Sequence, residues 1–156
     1  MGKSEERAVK DFTDIVYELY RKIGEENNFG KSFRSRAREI PSFLYEVGFL
    51  PALSFIYSKA EAQKYNLIVR FARERDLPAT ELKGVNSVEG GYAAYLYLLL
   101  LETSRILSNM RLDPSNPLSC INSLSGHGNL LIVLPQLLMP YLLELKRLAE
   151  ATLPGE

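Results

Sequence analysis

The sequence predicts an all-α protein, a single-domain bundle of about five helices. Apolar residues recur every three to four positions in each long segment, and no segment shows the alternation typical of a strand. Gly, Pro and Asn residues separate these segments. A chain of 156 residues with 46% hydrophobic and 24% charged residues is ordinary for a globular domain, so we expect one domain over residues 1–156.

The first helix is predicted to run from about Ser4 to about Glu26. Ser4 is a typical N-cap, and Glu5 and Glu6 suit the positive end of a helix dipole. Spacings of four, three and four residues place one apolar stripe on the helix, formed by Phe12, Val16, Leu19 and Ile23.

A second helix is predicted from about Ser32 to the stop at Gly48. Pro41 interrupts its pattern, so either the helix kinks there or a new helix begins. The third helix, about 50–75, carries Lys64 on its apolar stripe. It therefore either breaks near 61–65 or lets Lys64 extend to the surface.

The second half of the chain continues the helical pattern. The last segment contains Pro135 and Pro140, and its uninterrupted apolar run is shorter than the roughly 20 residues that a bilayer span needs. We therefore expect a kinked core helix and no membrane partner. The predicted segments are a connector at 76–87, a helix at 88–110, a turn at 113–117, a short segment at 118–124 and the last helix at 130–151.

Residue chemistry gives no support for an enzyme. Cys120 is the only cysteine and His127 the only histidine, so no catalytic residue, metal site or cofactor is predicted. Glu89-Gly90-Gly91 lacks the Lys-Ser/Thr of a phosphate loop. A lone cysteine and the lack of an apolar leader agree with a cytoplasmic protein.

Positive charge is concentrated in one part of a chain whose formal net charge is zero. Residues 31–75 contain nine Lys or Arg and four Glu. On a helix, Lys31, Arg34 and Arg38 line up with Tyr45 on one side of the apolar face, and Arg36 falls on the other. The stripe is compatible with covering the core, with contact to nucleic-acid phosphates, or with an acidic protein or membrane surface.

Two stretches then resemble a known family. The sequences AREIPSFL (37–44) and GFLPALSF (48–55), with the later helix from Tyr92 through Thr103 to Leu107, resemble the small subunit of the Cmr complex, the type III-B CRISPR effector. The resemblance covers about residues 5–112, and residues 113–156 are a C-terminal helical extension outside it.

The resemblance implies a non-catalytic structural subunit of an RNA-guided, RNA-targeting ribonucleoprotein for antiviral defence. Copies stack along the backbone subunits and support guide and target RNA, so the implied partners are the backbone subunit, copies of the chain itself and both RNAs. Arg38 matches the family's basic residue before a proline. An alternative is a helical adaptor whose basic stripe binds an acidic protein. The candidate RNA-binding residues are Lys31, Arg34, Arg36, Arg38, Lys59 and Lys64.

Overall fold

The computed structural model describes residues 2–24 and 26–155, and all regular secondary structure within them is helical. This confirms the all-α prediction. The helices are more numerous than the predicted five or so. The predicted third helix is divided, the first changes its winding part-way, and the connector contains short helices of its own.

The N-terminal helix is continuous but changes its winding. α1 (Lys3–Asp11) passes into a π-helical segment (Phe12–Tyr17) and then α2 (Glu18–Ile23). The N-cap prediction is wrong, because Gly2 occupies that position and the Ser4 hydroxyl instead donates a hydrogen bond to the distant Glu102 carboxylate. α2 ends three residues before the predicted limit.

α3 (Asn28–Val47) starts four residues earlier than predicted because Asn27 caps it. The Asn27 side-chain oxygen accepts a hydrogen bond from the Gly30 amide at 2.8 Å. This interaction satisfies one of the amides left free at a helix start. Pro41 lies within α3, so no new helix begins there.

The predicted third helix is broken, which agrees with the first of its two predicted alternatives, a break near 61–65. α4 (Phe49–Ala60) and α5 (Ala62–Arg73) are separated at Glu61, whose φ is 59°. α3 and α4 are separated at Gly48, whose φ of 90° is a conformation that favours glycine.

The remaining helices follow the predicted order. α7 ends four residues short of the predicted helix and a 3₁₀ turn follows it, while α9 is one continuous helix that includes both prolines. The elements are α6 (Ala79–Leu82), a 3₁₀ turn (Lys83–Val85), α7 (Val88–Ile106), a 3₁₀ turn (Ser108–Met110), α8 (Pro117–Leu124) and α9 (Gly128–Thr152).

α7 lies at the centre and packs mainly against α3, α4 and α5. α3 approaches it closely at Gly91, where a Cβ atom would lie 2.1 Å from the Ser32 hydroxyl oxygen. Gly91 therefore allows α3 and α7 to pack closely. α9 packs mainly against α3 and α1.

α9 is long and apolar enough, by length and composition, to cross a membrane. In this fold, one side of it is part of the protein core. The buried residues of α9 are Leu134, Pro135, Leu138, Tyr141, Leu142, Leu145 and Ala149. A core helix passes the same test of length and composition as a membrane span, so the packing agrees with the predicted core helix.

A cluster of charged side chains joins α1, α7 and α9. We call Asp11, Glu102, Arg7 and Arg105 the ion cluster. Arg7 lies 2.6 Å from the fully buried Glu102, and Arg105 lies 2.6 Å from Asp11 and 3.3 Å from Glu102. Tyr141 of α9 donates a hydrogen bond to Asp11 at 2.7 Å. Each buried carboxylate thus has a cationic partner.

Candidate nucleic-acid interface

Three of the predicted basic residues line one groove between α3 and α9. Lys31, Arg34 and Arg38 project from α3, whose opposite side is buried in the core through Phe33, Ala37 and Ile40. Spacings of three and four residues place the three cations on one helix face. We call this groove, which has a volume of about 480 Å³, the basic groove. Its lining residues are Lys31, Arg34, Ser35, Arg38, Glu39, Lys146, Glu150 and Gly155.

The basic groove contains more positive than negative charge. Among the described residues, four cationic side chains line it, against the two carboxylates of Glu39 and Glu150. Arg38 is 57% exposed, and its Nε atom lies 3.5 Å from Glu150. This distance is at the long limit of a hydrogen bond. The groove therefore presents cationic groups that are only loosely paired.

Arg36 lies apart from the basic groove, between α3 and α7. It is only 9% exposed, and its guanidinium carbon lies 4.2 Å from the centre of the Tyr92 ring. Its Nη1 donates to the Ser32 hydroxyl at 3.3 Å, and Ser32 in turn donates to the Val88 carbonyl. These contacts give Arg36 a packing role and leave its guanidinium little access to a ligand.

Lys59 and Lys64 also lie outside the basic groove. Lys59 is exposed on α4, with its ammonium 5.6 Å from the centre of the Phe55 ring. Lys64 on α5 is 20% exposed and pairs with Glu61 at 3.3 Å and with Glu89 at 3.9 Å. The six candidates therefore separate into one group of three and three individual sites.

The sequence reasoning missed the second wall of the groove. Lys146 and Glu150 of α9 face the cations of α3, although more than 100 positions of the sequence separate them from those cations. Only the packing of α9 on α3 reveals this pairing, and no local pattern around Lys146 signals it. Tyr45, which aligned with the cations in helical projection, instead lines a separate apolar groove with Pro51 and Ile132.

The rest of the described chain offers little reactive chemistry. His127 is exposed at the start of α9, and residues 2–24 and 26–155 contain no group of three or more His, Cys, Asp or Glu that could hold a metal ion. Burial, with a smaller effect of the nearby Asp113 charge, raises the pKa of the Cys120 thiol to about 11. Such a thiol is mostly protonated at neutral pH and is a poor nucleophile.

Comparisons with known proteins identify the family. Residues 5–75, which include the α3 cations, match the family model described as CRISPR-associated protein (Cas_Cmr5). A curated relative, the CRISPR system CMR subunit Cmr5 of Saccharolobus solfataricus, is 32% identical over 127 residues, which is 78% of this chain and 78% of that protein. The chain belongs to the Cmr5 family. This confirms the resemblance found in the sequence.

Two solved structures share the Cmr5-family fold of this chain. One is a chain of the type III-B Cmr-beta complex bound to non-cognate target RNA, with a TM-score of 0.68, 23% identity, and coverage of 100% of this chain and 99% of that one. The other is from the Cmr-beta complex bound to cognate target RNA and AMPPnP, with a TM-score of 0.66, 24% identity, and coverage of 99% and 98%. The likeness includes α8 and α9, which lie outside the part matched by the family model.

Proposed function

We propose that this chain is a non-catalytic small structural subunit of a type III-B (Cmr) CRISPR effector, an RNA-guided ribonucleoprotein that targets RNA in antiviral defence in the cytoplasm. Its partners in this proposal are the backbone subunit, copies of itself stacked along the filament, and the guide and target RNAs. Membership of the Cmr5 family supports the assembly. The two structural relatives come from complexes bound to target RNA.

The basic groove carries the RNA part of the proposal. Lys31, Arg34 and Arg38 present three cationic groups on one face of a rigid helix. Guanidinium groups bind phosphate through paired, charge-assisted hydrogen bonds. Binding through phosphates is independent of base sequence, as suits a subunit whose complex reads sequence through its guide RNA.

The other three candidates contribute differently. Lys59 and Lys64 remain candidate RNA contacts at separate positions on α4 and α5. Because Lys64 already has two carboxylate partners, we expect it to contribute less than the groove residues. Arg36 is excluded from the proposed interface because it is buried against Tyr92.

The test is to assemble the effector complex with Arg34→Glu and Arg38→Glu combined. We expect less guide and target RNA to be retained as salt is raised, because reversed charges repel phosphates. The matched control combines Arg21→Glu with Arg70→Glu, which changes the net charge equally at two exposed arginines away from the groove. Circular dichroism of each isolated variant checks folding.

Several outcomes would contradict the proposal. Equal RNA retention by the groove variant and the control would remove the RNA-binding role. Salt-sensitive binding of the wild-type chain to an acidic protein, with none to RNA, would support the adaptor alternative. Metal-independent RNA cleavage by the isolated chain that is abolished by His127→Ala would overturn the non-catalytic part.

A further inference from the structure

α9 forms one wall of the basic groove, and this wall contains a cation that has no carboxylate partner within residues 2–24 and 26–155. Lys146 has no ion pair or hydrogen bond with another described residue, although it lines the same groove as Arg34 and Arg38. The next residue, Arg147, is in contrast paired with Glu144 at 3.0 Å and does not line the groove. The two neighbouring cations of α9 thus have different surroundings.

Arg34 is also incompletely satisfied. Its Nε atom is buried without a hydrogen-bond partner among the described residues. Its Nη1 atom lies so close to Gly155 that a Cβ atom there would be 2.4 Å away. A desolvated guanidinium nitrogen without an acceptor is costly, so the fold leaves the guanidinium of Arg34 incompletely satisfied. Arg34 and Lys146 therefore present unused donors from opposite walls.

Among the described residues, Glu150 is the one ion-pair partner of Arg38, and the contact is loose. The closest approach is 3.5 Å, from Nε, and the Nη atoms of Arg38 make no hydrogen bond with a described residue. A phosphate offers more acceptor oxygens than one carboxylate and suits the planar fork of a guanidinium. A phosphate entering the groove would thus compete with Glu150 for Arg38.

We propose that Lys146 of the C-terminal helix completes a site for backbone phosphates of RNA with Arg34 and Arg38, and that Glu150 weakens binding by competing for Arg38. The inference rests on the proposed function and extends the RNA-binding surface beyond residues 5–75, which the family model matches. It gives α9 a direct part in ligand binding in addition to its part in the core.

The test measures binding of the full chain to a single-stranded RNA oligonucleotide of mixed sequence, by fluorescence anisotropy at several low salt concentrations. Lys146→Gln keeps most of the side-chain length and removes the charge. We expect it to weaken binding about threefold to tenfold, and to make the slope of log K against log salt shallower by about 0.7, the value for one lost phosphate contact on a single strand. Arg147→Gln is the matched control and is expected to leave both quantities unchanged.

Glu150→Gln tests the competition. Removing its charge frees Arg38 and reduces repulsion of phosphate, so we expect binding to tighten about threefold or more at low salt. Compared with Arg38→Gln alone, a combined Glu150→Gln and Arg38→Gln variant should keep only the part of this gain that comes from reduced repulsion, because the competition acts through Arg38. Thermal unfolding of each variant checks that the fold is retained.

The possible results separate the two proposals. If Arg34→Glu with Arg38→Glu abolishes binding while Lys146→Gln behaves like Arg147→Gln, the inference is overturned and the proposed function stands. If none of the groove variants changes binding, both fail. Weaker or unchanged binding by Glu150→Gln would overturn the competition. No measurable binding by the wild-type chain at the lowest salt would also overturn the inference.

Discussion

The ion cluster and the basic groove use similar residues in opposite ways. In the ion cluster, each carboxylate is buried and has a cation within 2.6 Å, and the contacts join α1 to α7. In the basic groove, cations outnumber carboxylates and the Arg38–Glu150 contact is 3.5 Å long. Matched, buried charges hold the helices in register, while surplus, open charges are available to a ligand.

The pKa shifts agree with this contrast. The hydrogen bond and the charge of Glu102 raise the pKa of Arg7 above its usual value. Burial opposes the charged form of Arg105, but hydrogen bonds and the charge of Asp11 outweigh it, so the pKa of Arg105 is also raised. Both guanidinium groups are therefore held firmly in the charged form.

The largest expected effect comes from Glu102→Gln. Glu102 is fully buried and accepts hydrogen bonds from Ser4, Arg7 and Arg105. Removing its charge leaves the two arginines insufficiently compensated, and breaking a buried pair in this way costs about 3 kcal/mol. Urea unfolding of the isolated chain measures the loss.

The control for this prediction is Glu18→Gln on α2, at the surface of the protein. Glu18 pairs with Arg21 at the surface, where such a pair is worth about 0.5 kcal/mol or less. A similar loss of stability in the two variants would contradict the structural role of the ion cluster.

The second largest loss of stability, after that of Glu102→Gln, is expected from Arg36→Ala. The variant for comparison is Arg38→Ala, two residues later on α3. Arg36 is buried against Tyr92, so its truncation removes packing and leaves the Ser32 hydroxyl with one donor fewer. We expect a loss of about 2 kcal/mol, typical of a truncated buried side chain with polar contacts. Arg38 is exposed, and its truncation should cost less than about 0.5 kcal/mol.

RNA binding should show the reverse order for these two arginines. Arg38→Ala is expected to weaken RNA binding, and Arg36→Ala to leave the affinity of the folded protein unchanged. Loss of RNA affinity in a fully folded Arg36→Ala variant would show that Arg36 is part of the interface. It would contradict the division between structural and ligand-binding charges.

Local sequence patterns predicted the helices well, but not the way in which they meet. The stripe of Lys31, Arg34 and Arg38 follows from helical periodicity alone, and the structure places these three residues in one groove. Lys146 could not be found in this way, because its position depends on how α9 packs against α3. The separate environment of Arg36 was indicated by the projection, but its burial depends on Tyr92 of α7.

The boundaries that the sequence missed have similar causes. Ser4 is a good N-cap by residue type, yet a tertiary contact with Glu102 takes its hydroxyl. The next helix was predicted to begin at about Ser32, whereas the Asn27 side chain caps it four residues earlier and also donates to the Tyr20 and Gly24 carbonyls. In both cases the short polar side chain has several possible partners, and the fold decides between them.

The smallest expected effect concerns Asp14. The exposure of its carboxylate lies between that of the ion-cluster carboxylates and that of Glu150 in the basic groove. Its side chain is 22% exposed and lies 2.8 Å from Lys10 and 3.2 Å from Arg75. The hydrogen bond from Lys10 is the main cause that lowers the pKa of Asp14, and the charge of Arg75 lowers it further. A lowered pKa in the folded state means that the charged form of Asp14 stabilises the fold.

This stabilisation is fully present above the unfolded-state pKa of about 4 and is lost as the pH falls through the lower folded-state value. Asp14→Asn should therefore cost about 0.5 kcal/mol at pH 7, and the difference from the wild type should shrink towards zero under acidic conditions. Urea unfolding midpoints between neutral and strongly acidic pH measure it. A difference that is constant with pH would show that Asp14 acts through packing, leaving the ion cluster as the place where carboxylate charge stabilises this fold.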